Sequence, residues 1–232
     1  MKFGQMSLPR LSDQADYIQL DICGLNAKES VDRYLAYKTN LPVILHGDWE
    51  KKGNSENNIG SRLVDYVDII NGLRQQTEII GFTMHPTFRK KVPFEEFLFF
   101  CDELTKDTGV PVFIENRSNQ KIWLSTPEEI IDFSHKHDMT IDLPQLFISC
   151  QFNEELFVET LKKIHWINVK ELHMANIKRQ APRTFVARKV EDGELKIHNI
   201  ISIFESVPYC TIEILGGVPT FDSQVEILKS YK

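Results

Sequence analysis

Cysteine is scarce in this chain. Its four cysteines, Cys23, Cys101, Cys150 and Cys210, are widely scattered among 232 residues with no C-x-x-C pair. That argues against a disulfide framework or a redox motif and leaves all four as reduced residues in or near the core. No run of about 18 apolar residues occurs, so no membrane-spanning helix is expected. The first ten residues lack the apolar stretch of a secretory signal, and the expectation is a soluble, cytoplasmic protein. Gly/Ser-rich tracts, Pro-rich tracts and long blocks of like charge are missing too. With no linker to divide it, the chain is expected to form one domain over residues 1–232. The net charge of −6 argues against a protein that coats nucleic acid non-specifically.

What the chain does have is a repeated event. Six short apolar runs each end on a residue able to bind a metal: VILHGDW at His46, IIGFTMHP at His85, VPVFIEN at Glu115, MTIDLP at Asp142, WINVKELHMAN at His173 and CTIEILGG at Glu213. The gaps between them are 39, 30, 27, 31 and 40 residues, close to one strand, one helix and two loops. Such spacing brings six strand-end residues together when the strands lie parallel with their C-terminal ends at one rim. An apolar content of 42% is enough for one large core. The fold expected is therefore α/β, a single (β/α)8 TIM barrel, with an open doubly wound sheet as the alternative.

Periodicity supplies the elements. Strands are expected at residues 2–6 and 17–22, from Pro42 onward, and at 78–84, with a short irregular helix after the first. Helical pattern covers residues 27–39 and 59–76, where Leu63, Val67, Ile70 and Leu73 mark one buried face. Pro93 stands at a helix start, and Ser125 or Thr126 can cap the next helix. Further helices are expected at 153–164, 197–206 and 222–230. Residues 175–190 read as a long loop of the kind that acts as a lid.

A carboxylate that directly follows Phe-Ile or Thr-Ile enters a region where an unpaired charge costs several kcal/mol. Three such cases, Glu115, Asp142 and Glu213, together with the histidines point to one shared divalent ion; internal ion pairs are the alternative. Carboxylate and imidazole ligands without thiolate suit Mn²⁺, Co²⁺, Fe²⁺ or Zn²⁺. Glu115 and Glu213, placed across the rim, could each face a substrate and move a proton beside a polarised carbonyl.

The ordered strand-end residues resemble the xylose isomerase-like TIM-barrel superfamily, which includes sugar isomerases and epimerases, inosose-type dehydratases and the endonuclease IV family. In the ketose 3-epimerase branch a Glu, Asp, His, Glu quartet binds the metal, and its two glutamates act as acid and base. The matching positions here are Glu115, Asp142, His173 and Glu213. The resemblance also implies a substrate-binding Arg179, six residues after the metal histidine, and a Gly-containing turn at residues 191–197. Gln145 replaces a histidine usual in the epimerases, so substrate contacts should differ. The endonuclease IV branch would add His46 and His85 as ligands of a second ion. Its late Asp-x-His pair is missing, since residues 192–194 are Asp-Gly-Glu, which argues against a full three-metal centre.

Basic residues crowd the loops after the strand ends: Arg89, Lys90, Lys91, Arg117, Lys178, Arg179, Arg183, Arg188 and Lys189. They suit a small anionic or polyhydroxylated substrate. Substrate contacts are expected from Arg179, His46, His85, Gln145, Arg117 and Trp49. Trp123 is read as loop packing or a sugar platform, and Asn116 and Asn176 as groups that orient a carboxylate or a substrate hydroxyl. His135, His137, His165 and His198 are left outside the site. The leading expectation is a divalent-metal-dependent isomerase or epimerase of a small sugar or polyol. A metal-dependent phosphodiester hydrolase, or a lyase or redox enzyme on the same barrel, is the alternative. Assembly into a homo-oligomer stays open.

Overall fold

The computed structural model describes residues 1–7, 9–48, 59–181, 184–214 and 216–231. Eight parallel strands close into a barrel: β1 (Lys2–Met6), β2 (Tyr17–Asp21), β3 (Val43–His46), β4 (Ile79–Met84), β5 (Val112–Glu115), β6 (Met139–Asp142), β7 (Val169–Met174) and β10 (Tyr209–Ile212). Around the circle each strand pairs with its neighbours along the chain, and β10 closes onto β1. Two further strands, β8 (Asn176–Ala181) and β9 (Thr184–Arg188), form a separate antiparallel hairpin between β7 and β10.

The outer layer holds α1 (Ala27–Leu35), α2 (Ile59–Arg74), α3 (Phe94–Thr108), α4 (Pro127–Ser134), α5 (Leu143–Ser149), α6 (Glu154–Lys163) and α7 (Gly217–Ser230). Their starts follow local chemistry. Asn26 and Glu29 form a reciprocal capping box on α1. The Thr126 hydroxyl accepts from the Glu129 N–H at the head of α4, with Pro127 in its first turn. Gly109 ends α3 in the left-handed region, at φ 68°, where a side chain would be strained.

Several elements differ from the sequence reading. The described residues between β1 and β2 form bends and turns without the expected helix. The segment 197–206 makes two short 3₁₀ turns, Ile197–Asn199 and Ile201–Phe204, in place of one α-helix. Four isoleucines crowd that segment, and β-branched side chains are hindered against a preceding α-helical turn. Helix α5, which was not anticipated, carries Pro144. The proline is tolerated in the first turn, where its missing N–H has no helical partner to lose. The long loop at 175–190 is instead the β8–β9 hairpin.

The barrel interior is layered. Tyr17, Ile44 and Phe113 form a buried cluster of their own inside it. Gly4 and Gly81 make room for them: a Cβ on Gly4 would collide with the Tyr17 ring, and one on Gly81 with the Phe113 ring. Because alternate strand residues share a face, the residues two positions further along point inward one layer higher. From Ile44 that residue is His46, and from Phe113 it is Glu115. From Thr83, Thr140 and Thr211, all fully buried, the same step reaches His85, Asp142 and Glu213.

Candidate metal centre

Every one of the six strand-end residues lies at one rim. His46, Glu115 and Asp142 are the last residues of β3, β5 and β6, His173 is the penultimate residue of β7, and His85 and Glu213 directly follow β4 and β10. Strand register supports the convergence, since Asp142 pairs with His173 and His173 with Thr211. Among the described residues two groups have ligand atoms within 4.8 Å of one another, His46–Glu115–His173 and Asp142–His173–Glu213. His173 belongs to both.

Glu115 is the hub of the first group. Its Oε2 lies 3.0 Å from His85 Nε2, 3.3 Å from His46 Nε2 and 3.4 Å from His173 Nδ1. Its Oε1 accepts from Arg117 Nη1 at 2.9 Å. Burial works to raise this carboxyl, but the surrounding imidazoles of His85, His173 and His46 outweigh it and hold it well below the usual carboxylate range. Burial, seconded by the Arg117 charge, pushes His85 down to about 3. His85 is therefore neutral at physiological pH.

His173 carries the second group. Its Nδ1 lies 3.2 Å from Glu213 Oε1. It is nevertheless buried without a properly directed hydrogen bond among the described residues. Burial alone would lower this histidine; the charges of Glu213, Glu115 and Glu171 reverse that and raise it well above its ordinary value. Asp142 is pushed up to about 8, first by burial and then by the charges of Glu115 and Glu213. The site thus crowds three carboxyl groups around an imidazole nitrogen that has Glu213 and Glu115 at 3.2 and 3.4 Å but, among the described residues, no hydrogen bond of proper geometry. A divalent cation among these oxygen and nitrogen donors would relieve the repulsion and take the place of the proton on Nδ1, so the residues present fit such an ion.

The supports are local. Asn116 clamps the Asp142 backbone, its Oδ1 accepting from the Asp142 N–H at 2.7 Å and its Nδ2 donating to the Asp142 carbonyl at 3.1 Å. Asp142 Oδ1 also accepts from the Gln145 N–H at 2.7 Å, which caps α5. The Gln145 side-chain oxygen is itself held by Ser118.

Two residues of this site escaped the sequence reading. Glu171 is fully buried beneath His173. Its Oε1 accepts from Thr211 Oγ1 at 2.6 Å and Tyr17 OH at 3.2 Å, its Oε2 from Thr83 Oγ1 at 2.6 Å, and His173 Nε2 stands 3.4 Å from Oε2. Burial raises this carboxyl, but His173 and the hydroxyls more than compensate, so its pKa is lowered. The Gln19 side-chain amide lies 2.7 Å from the same Nε2. Glu171 was legible as the inward neighbour two positions before His173; Gln19 carried no comparable signal.

Other expectations moved. Arg179 is paired with Glu194, 3.2 Å away, and lies over the Phe152 ring, without a contact to the six rim residues among the described residues. Asn176 organises the hairpin instead of a ligand: its amide donates to the Val190 and Leu195 carbonyls and accepts from the Ile177 and Leu195 N–H groups. Arg89 is tied to Glu129 at 2.6 Å and covers the Trp123 ring, which packs on Phe94. Trp49 and Arg183 lie outside the described residues.

No family model matches the sequence, and no curated protein matches it. Solved structures do. The IolI protein with a binding zinc atom superposes with a TM-score of 0.69 at 10% identity, over 100% of this chain and 99% of that one. The probable 3-DHS dehydratase AsbF of petrobactin synthesis from Bacillus anthracis gives 0.68 at 11% identity, over 99% of each chain. A protein from Sinorhizobium meliloti 1021 gives 0.51 at 10% identity, over 93% of this chain and 85% of that one. These likenesses bear out the fold, a (β/α)8 TIM barrel. No helix among the described residues is long and apolar enough to cross a membrane.

Proposed function

We propose that the protein is a divalent-metal-dependent isomerase or epimerase of a small sugar or polyol, one that exchanges a proton beside a carbonyl group. The observation that carries this reading is His173 Nδ1, buried without a directed partner between Glu115 and Glu213. Asp142, His173, Glu213 and Glu115 would hold the ion, with Mn²⁺, Co²⁺, Zn²⁺ and Fe²⁺ as candidates. The bound zinc named for the similar IolI structure agrees with that chemistry. When bound, the ion polarises a substrate oxygen and so makes the adjacent C–H bond more acidic.

The protein's own residues do the rest. The Glu213 side chain is 23% exposed against 1% for Glu115, so Glu213 meets the substrate first and takes the proton from carbon. Glu115 is the partner group that exchanges the proton on the other side. The buried rim excludes bulk water and strengthens each of these interactions. Gln145, Arg117, His46 and His85 line the same mouth and would contact substrate oxygens. The wider charge on the rim still suits an anionic substrate, although Arg179 and Arg89 are already paired with acids.

The same acid and base pair would serve removal of water from a hydroxy ketone. The likeness to the probable dehydratase AsbF makes that lyase reaction the second reading.

The test is elemental analysis of protein purified without chelators, followed by solvent-deuterium incorporation into a panel of ketoses and polyols. The expected result is a bound divalent ion that His173→Ala removes, and label exchange that Glu213→Gln lowers by about 10²–10⁴-fold with the fold retained. Absence of any ion from the wild type, or near wild-type turnover in both Glu115→Gln and Glu213→Gln, would overturn the reading.

A further inference from the structure

Glu115 uses its two oxygens differently. Oε2 faces the imidazoles, whereas Oε1 is taken by Arg117 Nη1 at 2.9 Å, and the same Nη1 lies 3.3 Å from His85 Nε2. A second divalent ion on His46 and His85 would lie beside Glu115 Oε2, which stands 3.3 Å from His46 Nε2 and 3.0 Å from His85 Nε2. The guanidinium already stands against His85 Nε2, one of the two histidine nitrogens that such an ion needs, and holds the carboxylate by its other oxygen.

Arg117 is not loosely placed there. Its backbone N–H donates to the Leu124 carbonyl at 2.9 Å, and its carbonyl accepts from Ser149 Oγ at 3.1 Å. A guanidinium keeps its charge at any accessible pH, and so it cannot yield the position by losing a proton. An incoming divalent ion would meet a fixed positive charge at ligand distance, where the buried His85 and Glu115 side chains leave little water to screen it.

We propose that Arg117 stands in place of a second metal ion, so that the centre binds one divalent ion and is closed to two-ion hydrolysis. This rests on the metal reading above and deepens it, because it separates the isomerase class from the phosphodiester hydrolases by a single side chain.

The experiment counts ions per chain by elemental analysis after equilibration with Co²⁺ and removal of free metal, with folding checked by circular dichroism. One equivalent is expected for wild type, two for Arg117→Ala, one for Arg117→Lys, and one again for Arg117→Ala combined with His85→Ala. Should Arg117→Ala fail to fold, Arg117→Gln carries the same expectation, since it keeps a hydrogen-bonding side chain without the charge. Two equivalents in the wild type would overturn the proposal. So would one equivalent in the folded Arg117→Ala or Arg117→Gln protein, and that result leaves the single-ion reading intact. No bound ion in the wild type would overturn both.

Discussion

Glu171 sits two residues before His173 on the same face of β7, and its Oε2 lies 3.4 Å from His173 Nε2. The other ring nitrogen, Nδ1, faces Glu115 and Glu213. A carboxylate behind an imidazole fixes the ring's orientation and makes its outer nitrogen a better ligand. The hydroxyls of Tyr17, Thr83 and Thr211 hold Glu171 in place for this role.

Replacing Glu171 by Gln is expected to weaken divalent-ion binding by about 10–100-fold, with the barrel still folded. Calorimetric titration of Mn²⁺ or Co²⁺ into wild type and variant reads the difference directly. Equal affinity in the two proteins would show that Glu171 serves only to fill the interior.

An ion that binds the folded chain and not the unfolded one must raise its stability. At a free concentration of a hundred times Kd the gain is about 2.7 kcal/mol, which a melting curve resolves easily. His173→Ala is expected to melt at the same temperature with and without added ion, and a chelator should reverse the rise in wild type. A wild-type melting temperature indifferent to Mn²⁺, Co²⁺ and Zn²⁺ would contradict this.

Asp48, just beyond β3, ties α2 to the loop after β2. It accepts from Arg62 Nη1 at 2.6 Å, the Tyr66 hydroxyl at 2.8 Å and the Gly24 N–H at 2.8 Å. Burial works to raise its carboxyl, but these partners prevail and lower it below the ordinary 3.8. Since the folded-state value lies below the unfolded one, its contribution is complete above about pH 4 and fades as pH falls through the lowered value. Asp48→Asn should cost about 1–3 kcal/mol at pH 7 and progressively less towards pH 2. Urea unfolding of both proteins across that range tests the sign, and a gap that widens in acid would refute it.

Asn176 makes four hydrogen bonds to backbone groups that are buried with it. Asn176→Ala would strand those groups, at about 1–3 kcal/mol for each left unsatisfied. The expected result is a lower melting temperature and faster proteolytic cutting within residues 176–188. Cutting at the wild-type rate would mean that the hairpin is held by other contacts.

The order of apolar runs and their spacing determined the barrel. Strand alternation and a 27–40 residue repeat leave few ways to bring six polar strand ends together. The inward alternation also carried Glu171, had it been followed one step below the rim. Local chemistry was enough for the cap at Thr126.

Only the tertiary structure decided the rest, because those outcomes depend on partners distant in sequence. Helix α5 forms where Asp142, itself a rim carboxylate, caps the turn that contains Pro144. Arg179 and Arg117 are equivalent as basic rim residues in the sequence. Glu194 draws one aside, while packing against Leu124 and Ser149 sets the other between His85 and Glu115. A charge's role is fixed by its nearest opposite charge and by the water excluded around it, and both are properties of the folded chain alone.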